Sequence, residues 1–326
     1  LASNENPLGM STHARDALAR SIGEVPRYPD GNGFELKSAL CRRFGVRMEQ
    51  IVLGNGSNDV LDLAARAFLA PGLSAVYSRY AFAIYPLATQ TVGATGIEVP
   101  ARDFGHDLPA MVRSIRPDTR LVFVANPNNP TGTFVPGREV LAFLESVPAD
   151  VLVVLDEAYT EYLGADQRYD ALAWLDRFPN LLISRTFSKA YGLAGLRVGY
   201  GLGNPGVIDL LNRVRQPFNV SSMALVAATA ALDDVEFLAK SAELNRRGMR
   251  QLLEGFAALG LKWIDSAANF VTVRVGDAAT VNARLLRQGV IVRPVAGYGM
   301  PEWLRVSIGL LEENARFLAA LREALD

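Results

Sequence analysis

Apolar residues in this chain fall into short runs separated by polar punctuation, and the runs alternate between two periods. Ile51 to Leu53, Leu73 to Tyr77, Thr95 to Val99, Thr119 to Ala125, Val151 to Leu155, Leu181 to Ile183 and Val198 to Leu202 are rich in Val, Ile and Leu and have the length of buried strands. Between several of them lie stretches that read as helices: from Asp59 to Ala70, Phe82 to Val92, Leu108 to Ile115, and Arg138 to Ser146. The alternation predicts an α/β fold, a mostly parallel sheet flanked by helices. Ahead of it, Leu1 to Gly9 is polar and broken by Pro7, so it reads as an extended arm. Thr12 to Ser21 and Phe34 to Phe44 read as helices, the second with Leu36, Leu40 and Phe44 on one side. Past Pro217 the texture changes. Two Ala/Leu-rich helices (Ser221 to Leu232, Val235 to Leu259) precede short strands at Val271 to Val275, Val290 to Val292 and Leu304 to Ile308, and a closing helix spans Glu312 to Leu325. This pattern predicts three parts. Residues 1–30 form an arm and helix packing with the smaller domain, 31–220 a large domain, and 221–326 a small C-terminal α+β domain.

Composition narrows the picture. Half of the 326 residues are hydrophobic, ample for a large core. Lys and Arg number 33 against 34 Asp and Glu, a net charge of −1, which argues against a nucleic-acid partner or a polybasic membrane surface. Cys41 is the single cysteine, so a reducing compartment, the cytoplasm, is expected, and its helical surroundings suggest a packing role. No apolar run approaches the ~18 residues of a membrane span, and no signal peptide is visible. Leu1 stands inside what reads as a motif, so further residues are expected to precede it. His13 and His106 are the only histidines, both expected at the surface, and no metal site is expected.

The chemistry collects where strands end, which is where open α/β sheets bind ligands. At Gly54-Asn55-Gly56-Ser57-Asn58-Asp59, glycines lead into a helix whose first N–H groups, at Ser57 and Asn58, suit a phosphate; a tight turn with a Ser or Asn cap would read the same way. Asn126 to Gly132 holds Asn129 ahead of Pro130, extended, with an amide able to donate to a phenolic oxygen; a rigid loop is the plain alternative. Asp156 closes an apolar strand, a costly place for a charge unless it is paired. A protonated ring nitrogen would pair it: at ~4 Å and an effective dielectric of ~20 the attraction is about 4 kcal/mol, or roughly three pKa units. The alternative is a helix cap. Tyr159, three residues on, could reach an oxygen on the same ring. Finally, Thr186, Ser188, Lys189 and Arg197 follow the strand at Leu181. They offer an amine for a Schiff base, with hydroxyls and a guanidinium for a phosphate, against a surface turn with a solvated lysine. One compound satisfies all four clusters: pyridoxal 5′-phosphate (PLP). A nucleotide fits worse, for want of a Gly-x-Gly-x-x-Gly after the first strand or a P-loop lysine.

These residues resemble the fold-type I PLP-dependent aminotransferases, and within them the histidinol-phosphate branch. The match runs through Asn4-Glu5-Asn6-Pro7, Arg27-Tyr28-Pro29, Gly54-Asn55-Gly56-Ser57, Asn126-Pro127-Asn128-Asn129-Pro130-Thr131-Gly132, Asp156-Glu157-Ala158-Tyr159, Ser188-Lys189, Gly195-Leu196-Arg197, Val292-Arg293-Pro294 and Leu304-Arg305-Val306. The resemblance implies a transaminase that converts L-histidinol phosphate and 2-oxoglutarate to imidazole-acetol phosphate and L-glutamate. An aromatic amino-acid aminotransferase and a phosphothreonine decarboxylase on the same frame are the alternatives. It implies that Lys189 forms the Schiff base, Asp156 pairs with the ring nitrogen, and Tyr159 and Asn129 contact the ring oxygen. Ser57 and Asn58 by backbone, with Thr186, Ser188 and Arg197, would hold the phosphate. Phe82 would stack on the ring, with Tyr80 and Tyr85 close enough to compete. Arg305 would be the anion clamp, supported by Arg293, with Asn4, Asn6 and Tyr28 near the substrate. Tyr28 would reach the cofactor of a second subunit, so a homodimer with shared active sites is implied. Two departures from the family pattern stand out: Asn58 takes the place of a frequent acidic residue, and Thr160 that of an aromatic.

Overall fold

The computed structural model describes residues 1–326. Its helices are α1 (Thr12–Ser21), α2 (Phe34–Phe44), α3 (Ser57–Phe68), α4 (Ile84–Thr91), α5 (Leu108–Arg113), α6 (Gly137–Ser146), α7 (Pro205–Val214), α8 (Ser222–Leu232), α9 (Val235–Ala258), α10 (Ala278–Arg287) and α11 (Leu311–Leu325). The strands are β1 (Ile51–Gly54), β2 (Ser74–Ser78), β3 (Thr95–Val99), β4 (Thr119–Ala125), β5 (Leu152–Asp156), β6 (Leu181–Thr186), β7 (Gly199–Gly203), β8 (Lys262–Ile264), β9 (Phe270–Arg274), β10 (Arg293–Pro294) and β11 (Trp303–Ser307).

Seven strands form one sheet in the order β1-β7-β6-β5-β4-β2-β3. Only β7 runs against its neighbours, antiparallel to both β1 and β6; the other pairings are parallel. The expected mostly parallel sheet is therefore present. Successive residues of its strands serve opposite faces. Val122, Val124, Val153 and Leu155 join one apolar cluster; Leu121, Phe123, Leu152 and Val154 join another. Burial on both faces is why these strands read as unbroken apolar runs.

The second sheet is wholly antiparallel, in the order β10-β11-β9-β8. Its apolar cluster begins with Leu252 of α9 and ends in α11. The expected strand at Val290 to Val292 is absent: both valines are buried in that cluster, and ladder pairing begins only at Arg293. The short β8, with Lys262 exposed, has no apolar run to announce it.

The apolar grouping differs from the expected division at α1 and at α8. Ala224, Ala227, Ala228, Ala231 and Leu232 of α8 share the cluster of the large sheet, together with Ala14 of α1 and Leu36 of α2. An Ala-rich helix lets neighbouring backbones approach, so α1 and α2 close against α8 and join the large-sheet core with it. The arm itself does reach the small sheet, where Leu1 O accepts from Ser307 N (2.9 Å) and Asn4 N donates to Ser307 Oγ (2.8 Å).

Candidate active site

The sheet order brings the polar strand ends to one edge. β1, β4, β5 and β6 deliver Gly54, Ala125, Asp156 and Thr186 there, and β7, running backwards, starts there, with Gly199 opposite Thr186. Arg197, just before β7, arrives at the edge by this reversal. A cavity of about 520 Å³ opens at this edge. Asn4, Ser57, Asn58, Phe82, Asn129, Asp156, Tyr159, Thr186, Ser188, Lys189 and Arg197 line it, with Arg293 and Arg305 entering from the small sheet.

At the floor, Asp156 Oδ2 accepts from the Tyr85 hydroxyl (2.9 Å), while Oδ1 is buried with no partner. Burial pushes this carboxyl up to about 6; the Tyr85 hydroxyl and the Ala158 N–H oppose the rise and Glu157 adds to it. An orphaned acceptor of this kind is what the N–H of a protonated ring would satisfy. Glu157 itself turns away and is held by Arg185 (2.7 Å). The three aromatic candidates for ring stacking separate. Phe82 lines the cavity. Tyr85 is buried below it, stacked on Phe123 (centroids 4.6 Å apart), and so does not face the cavity. Tyr80 packs on Phe104 (5.7 Å), outside the cavity.

One end suits a phosphate. Gly56 caps α3 with φ +79°, and Ser57 and Asn58 are its first helical residues, whose N–H groups have no partner within the helix. Arg197 Nη1 donates to Ser188 Oγ (3.2 Å), and Ser188 N donates to Thr186 Oγ1 (3.1 Å). A Cβ on Gly56 would strike the Arg197 guanidinium, and one on Gly199 the backbone of Gly56 and Ser57. Glycines at these positions let a helix start, a guanidinium and two hydroxyls converge on one spot, an anion cradle in charge and donor number.

Lys189 stands between the floor and the clamp. Its Nζ donates to Ser3 O (3.1 Å) and lies 5.9 Å from the Tyr159 ring centroid. Burial lowers its ammonium to about 8, helped by Arg305 and Arg197 and opposed by Glu5 and Asp156. Arg305 is buried: Nη1 donates to Asn129 Oδ1 (2.6 Å), Nη2 to Ala2 O (2.9 Å), and Nε has no partner. With Oδ1 so held, the donor left to Asn129 is its amide nitrogen. Arg293 is exposed and donates to Ala2 O (3.3 Å) and Ser3 Oγ (3.3 Å). Asn4, at φ +56°, donates through Nδ2 to the Tyr159 hydroxyl (3.0 Å), whose ionisation burial pushes up to about 12. The Ala2 carbonyl of the arm thus occupies a donor of each arginine.

Two predicted site residues lie elsewhere. Tyr28 is 83% exposed and stacks on Phe218 (4.9 Å) away from the cavity. Asn6 is buried and ties the arm down, donating to Ala190 O and Ser241 Oγ (2.8 Å each). Ser3, Glu5 and Tyr298 also line the cavity; Glu5 lies inside the Asn4-to-Pro7 motif, which assigns it no role, and nothing local marks Ser3 or Tyr298, which tertiary packing places there. His106 is not at the surface as expected. It is buried, with Nε2 2.8 Å from Ala125 O, and burial pushes its imidazole down to about 4.

Residues 1–321 match the family model described as aminotransferase class I and II. The chain is 66% identical over 325 residues to histidinol-phosphate aminotransferase 1 of Thiobacillus denitrificans, covering all of this chain and 85% of that protein. It is 63% identical over 329 residues to histidinol-phosphate aminotransferase 1 of Cupriavidus pinatubonensis, covering all of this chain and 88% of that protein. Among solved structures, histidinol-phosphate aminotransferase from Sinorhizobium meliloti in complex with pyridoxal 5′-phosphate superposes with a TM-score of 0.94 at 31% identity, covering 99% of this chain and 89% of that one.

Proposed function

The chain belongs to the class I and II aminotransferases, and from that premise we infer that it moves the amino group of L-histidinol phosphate to 2-oxoglutarate, yielding imidazole-acetol phosphate and L-glutamate, a step of histidine biosynthesis. Its cofactor is pyridoxal 5′-phosphate. The observation that carries the reading is a single cavity lined by a lysine of lowered pKa, a carboxylate with one orphaned oxygen, an anion cradle and a buried arginine.

When bound, the cofactor supplies an electrophilic aldehyde and a sink for the electrons released at the substrate α-carbon. The residues of the chain do the rest. Asp156 holds negative charge where a ring nitrogen must stay protonated. Ser57, Asn58, Thr186, Ser188 and Arg197 anchor the phosphate. Phe82 supplies an apolar face, and Tyr159 and Asn129 present donors. Lys189 Nζ, near 8, is part neutral at physiological pH, so it serves as a nucleophile and as the base that takes up and returns the α-proton. Arg305, supported by Arg293, binds the phosphate of one substrate and a carboxylate of the other in turn. To do so it exchanges the Ala2 carbonyl for the incoming anion.

A charged hydrogen bond contributes about 1.5–3 kcal/mol, roughly a 10- to 100-fold effect. Glutamate formation from histidinol phosphate should therefore exceed that from phenylalanine by about that factor in kcat/KM. Preference for phenylalanine, or carbon dioxide release from phosphothreonine, would replace this reading by one of its alternatives.

We propose further that the protein acts in the cytoplasm as a homodimer with shared active sites. Tyr28 does not face its own chain's cavity. It stacks on exposed Phe218, and Ile22, Val25 and Phe34, near it in sequence, are exposed as well, apolar surface suited to a second copy. No helix is long and apolar enough to cross a membrane.

A further inference from the structure

We propose that Tyr85 is a positioning residue of this site: its hydroxyl holds one oxygen of Asp156 and thereby commits the other to the ring nitrogen of the cofactor. This rests on the reading above that Asp156 pairs with that nitrogen.

Tyr85 lies in α4, is wholly buried and does not line the cavity, so its hydroxyl acts on the chemistry only through Asp156. Its ring is fixed from two sides, flat on Phe123 (interplanar angle 5°) and edge-on to Phe82 (90°), so the hydroxyl cannot swing away. The hydroxyl has one proton to give, and it gives it to Asp156 Oδ2 at 2.9 Å. Burial and the Asp156 charge push the phenol's ionisation well upward, which keeps it a donor. The torsion that orients a carboxylate is broad, with little intrinsic preference. Without Tyr85 the carboxylate would keep only the Ala158 N–H beside it and no side-chain donor; with it, only Oδ1 is left without a partner. The hydrogen bond also favours the ionised carboxylate against the burial that opposes it. The other charged and titratable groups around the pair are Glu157, Lys189, Tyr159 and Tyr298. None of them donates a hydrogen bond to Asp156.

The test measures noncovalent affinity for PLP against pH, by equilibrium dialysis of the Lys189→Ala protein, which cannot form the covalent link. Four proteins complete a cycle: this parent, and the parent with Tyr85→Phe, with Asp156→Asn, and with both. In the parent, affinity should fall on the acid side as Asp156 takes a proton. Tyr85→Phe should move that fall upward by about one to two pH units, the size of one hydrogen bond to a charged group, and weaken binding about tenfold at pH 6. With Asp156→Asn the part of the acid fall due to Asp156 should vanish, leaving that of the cofactor phosphate, whose second ionisation lies at about 6, and Tyr85→Phe should then change affinity less than about twofold. An unmoved acid fall in Tyr85→Phe, or an equal effect in the Asp156→Asn background, overturns the role of Tyr85 and leaves the ring-nitrogen reading standing. Parental affinity and acid fall in Asp156→Asn overturn that reading and this inference with it. If Tyr85→Phe does not fold, 3-fluorotyrosine installed at position 85 decides. Its more acidic hydroxyl should move the acid fall downward, and an unmoved or raised fall refutes the proposal.

Discussion

Lys189 owes its reactivity to what surrounds it. An ordinary lysine is protonated until about pH 10.4, but burial and the cations Arg305 and Arg197 bring this one to about 8. Its folded pKa is lowered, so the neutral amine becomes abundant as pH rises through 8 rather than through 10. The rate at which apo-protein captures the cofactor aldehyde should rise about tenfold per pH unit below 8 and level off above it; stopped-flow absorbance would follow it. Arg305→Gln removes a like charge and should move that midpoint upward. A midpoint that stays put would mean that desolvation alone sets it. Lys189 and Asp156 were legible in the sequence because each directly follows or ends an apolar strand, where a charge needs a reason. Tyr85 was legible only as an aromatic near Phe82. Its hydrogen bond depends on α4 packing against β2 and β3 and on its ring stacking on Phe123 of β4, which no local pattern encodes.

Among the elements, the start of β7 and the start of α3 are held together by glycine. Gly199→Ala would force the Gly56–Ser57 backbone away and open the anion cradle. Cofactor affinity should drop by about tenfold or more, on the scale of a lost charged hydrogen bond, with little change in the substrate preference of what remains loaded. The segment before α5 carries a second prediction. His106 is buried and neutral, held down to about 4, whereas an unfolded chain protonates it near 6.5. Below pH 6.5 the unfolded state binds the extra proton, so this residue's contribution to stability falls as pH drops from 6.5 towards 4, by up to about 3 kcal/mol. Denaturation in urea at a series of pH values should show that slope, and His106→Gln should flatten it. The polar loop around His106 suggested exposure. The imidazole is buried because it lies against the end of β4 and caps the Ala125 carbonyl, a contact 19 residues away in sequence.

At the scale of the molecule, the arm, the large sheet and the small sheet meet at one cavity, and an apolar face is left exposed beside α1. Ile22 and Val25 are 66% and 61% exposed there. If that face meets a second copy, the double substitution Ile22→Asp with Val25→Asp should give a species of half the mass in sedimentation and weaken cofactor retention, because Tyr28 then loses its partner site. A protein that sediments as before, with unchanged cofactor affinity, would refute the shared site. The outline of the large sheet was legible from the alternation of apolar runs, as were β9 and β11 of the small one, but not β8 or β10. The membership of α8 was not, because its alanines fit equally well against either core, and only packing chose the large one.

Sequence by itself determined the strands of the large sheet and most of the helices, the order of the polar clusters and the chemistry they can support, since periodicity and the cost of a buried charge are local and act on every chain alike. Tertiary structure alone decided which oxygen of Asp156 is free, which aromatic faces the cavity, how far Lys189 is shifted and that the arm covers Arg305. Those depend on distances of a few ångströms between residues as far apart as Ala2 and Arg305, and electrostatics and hydrogen bonding fall off over that same length.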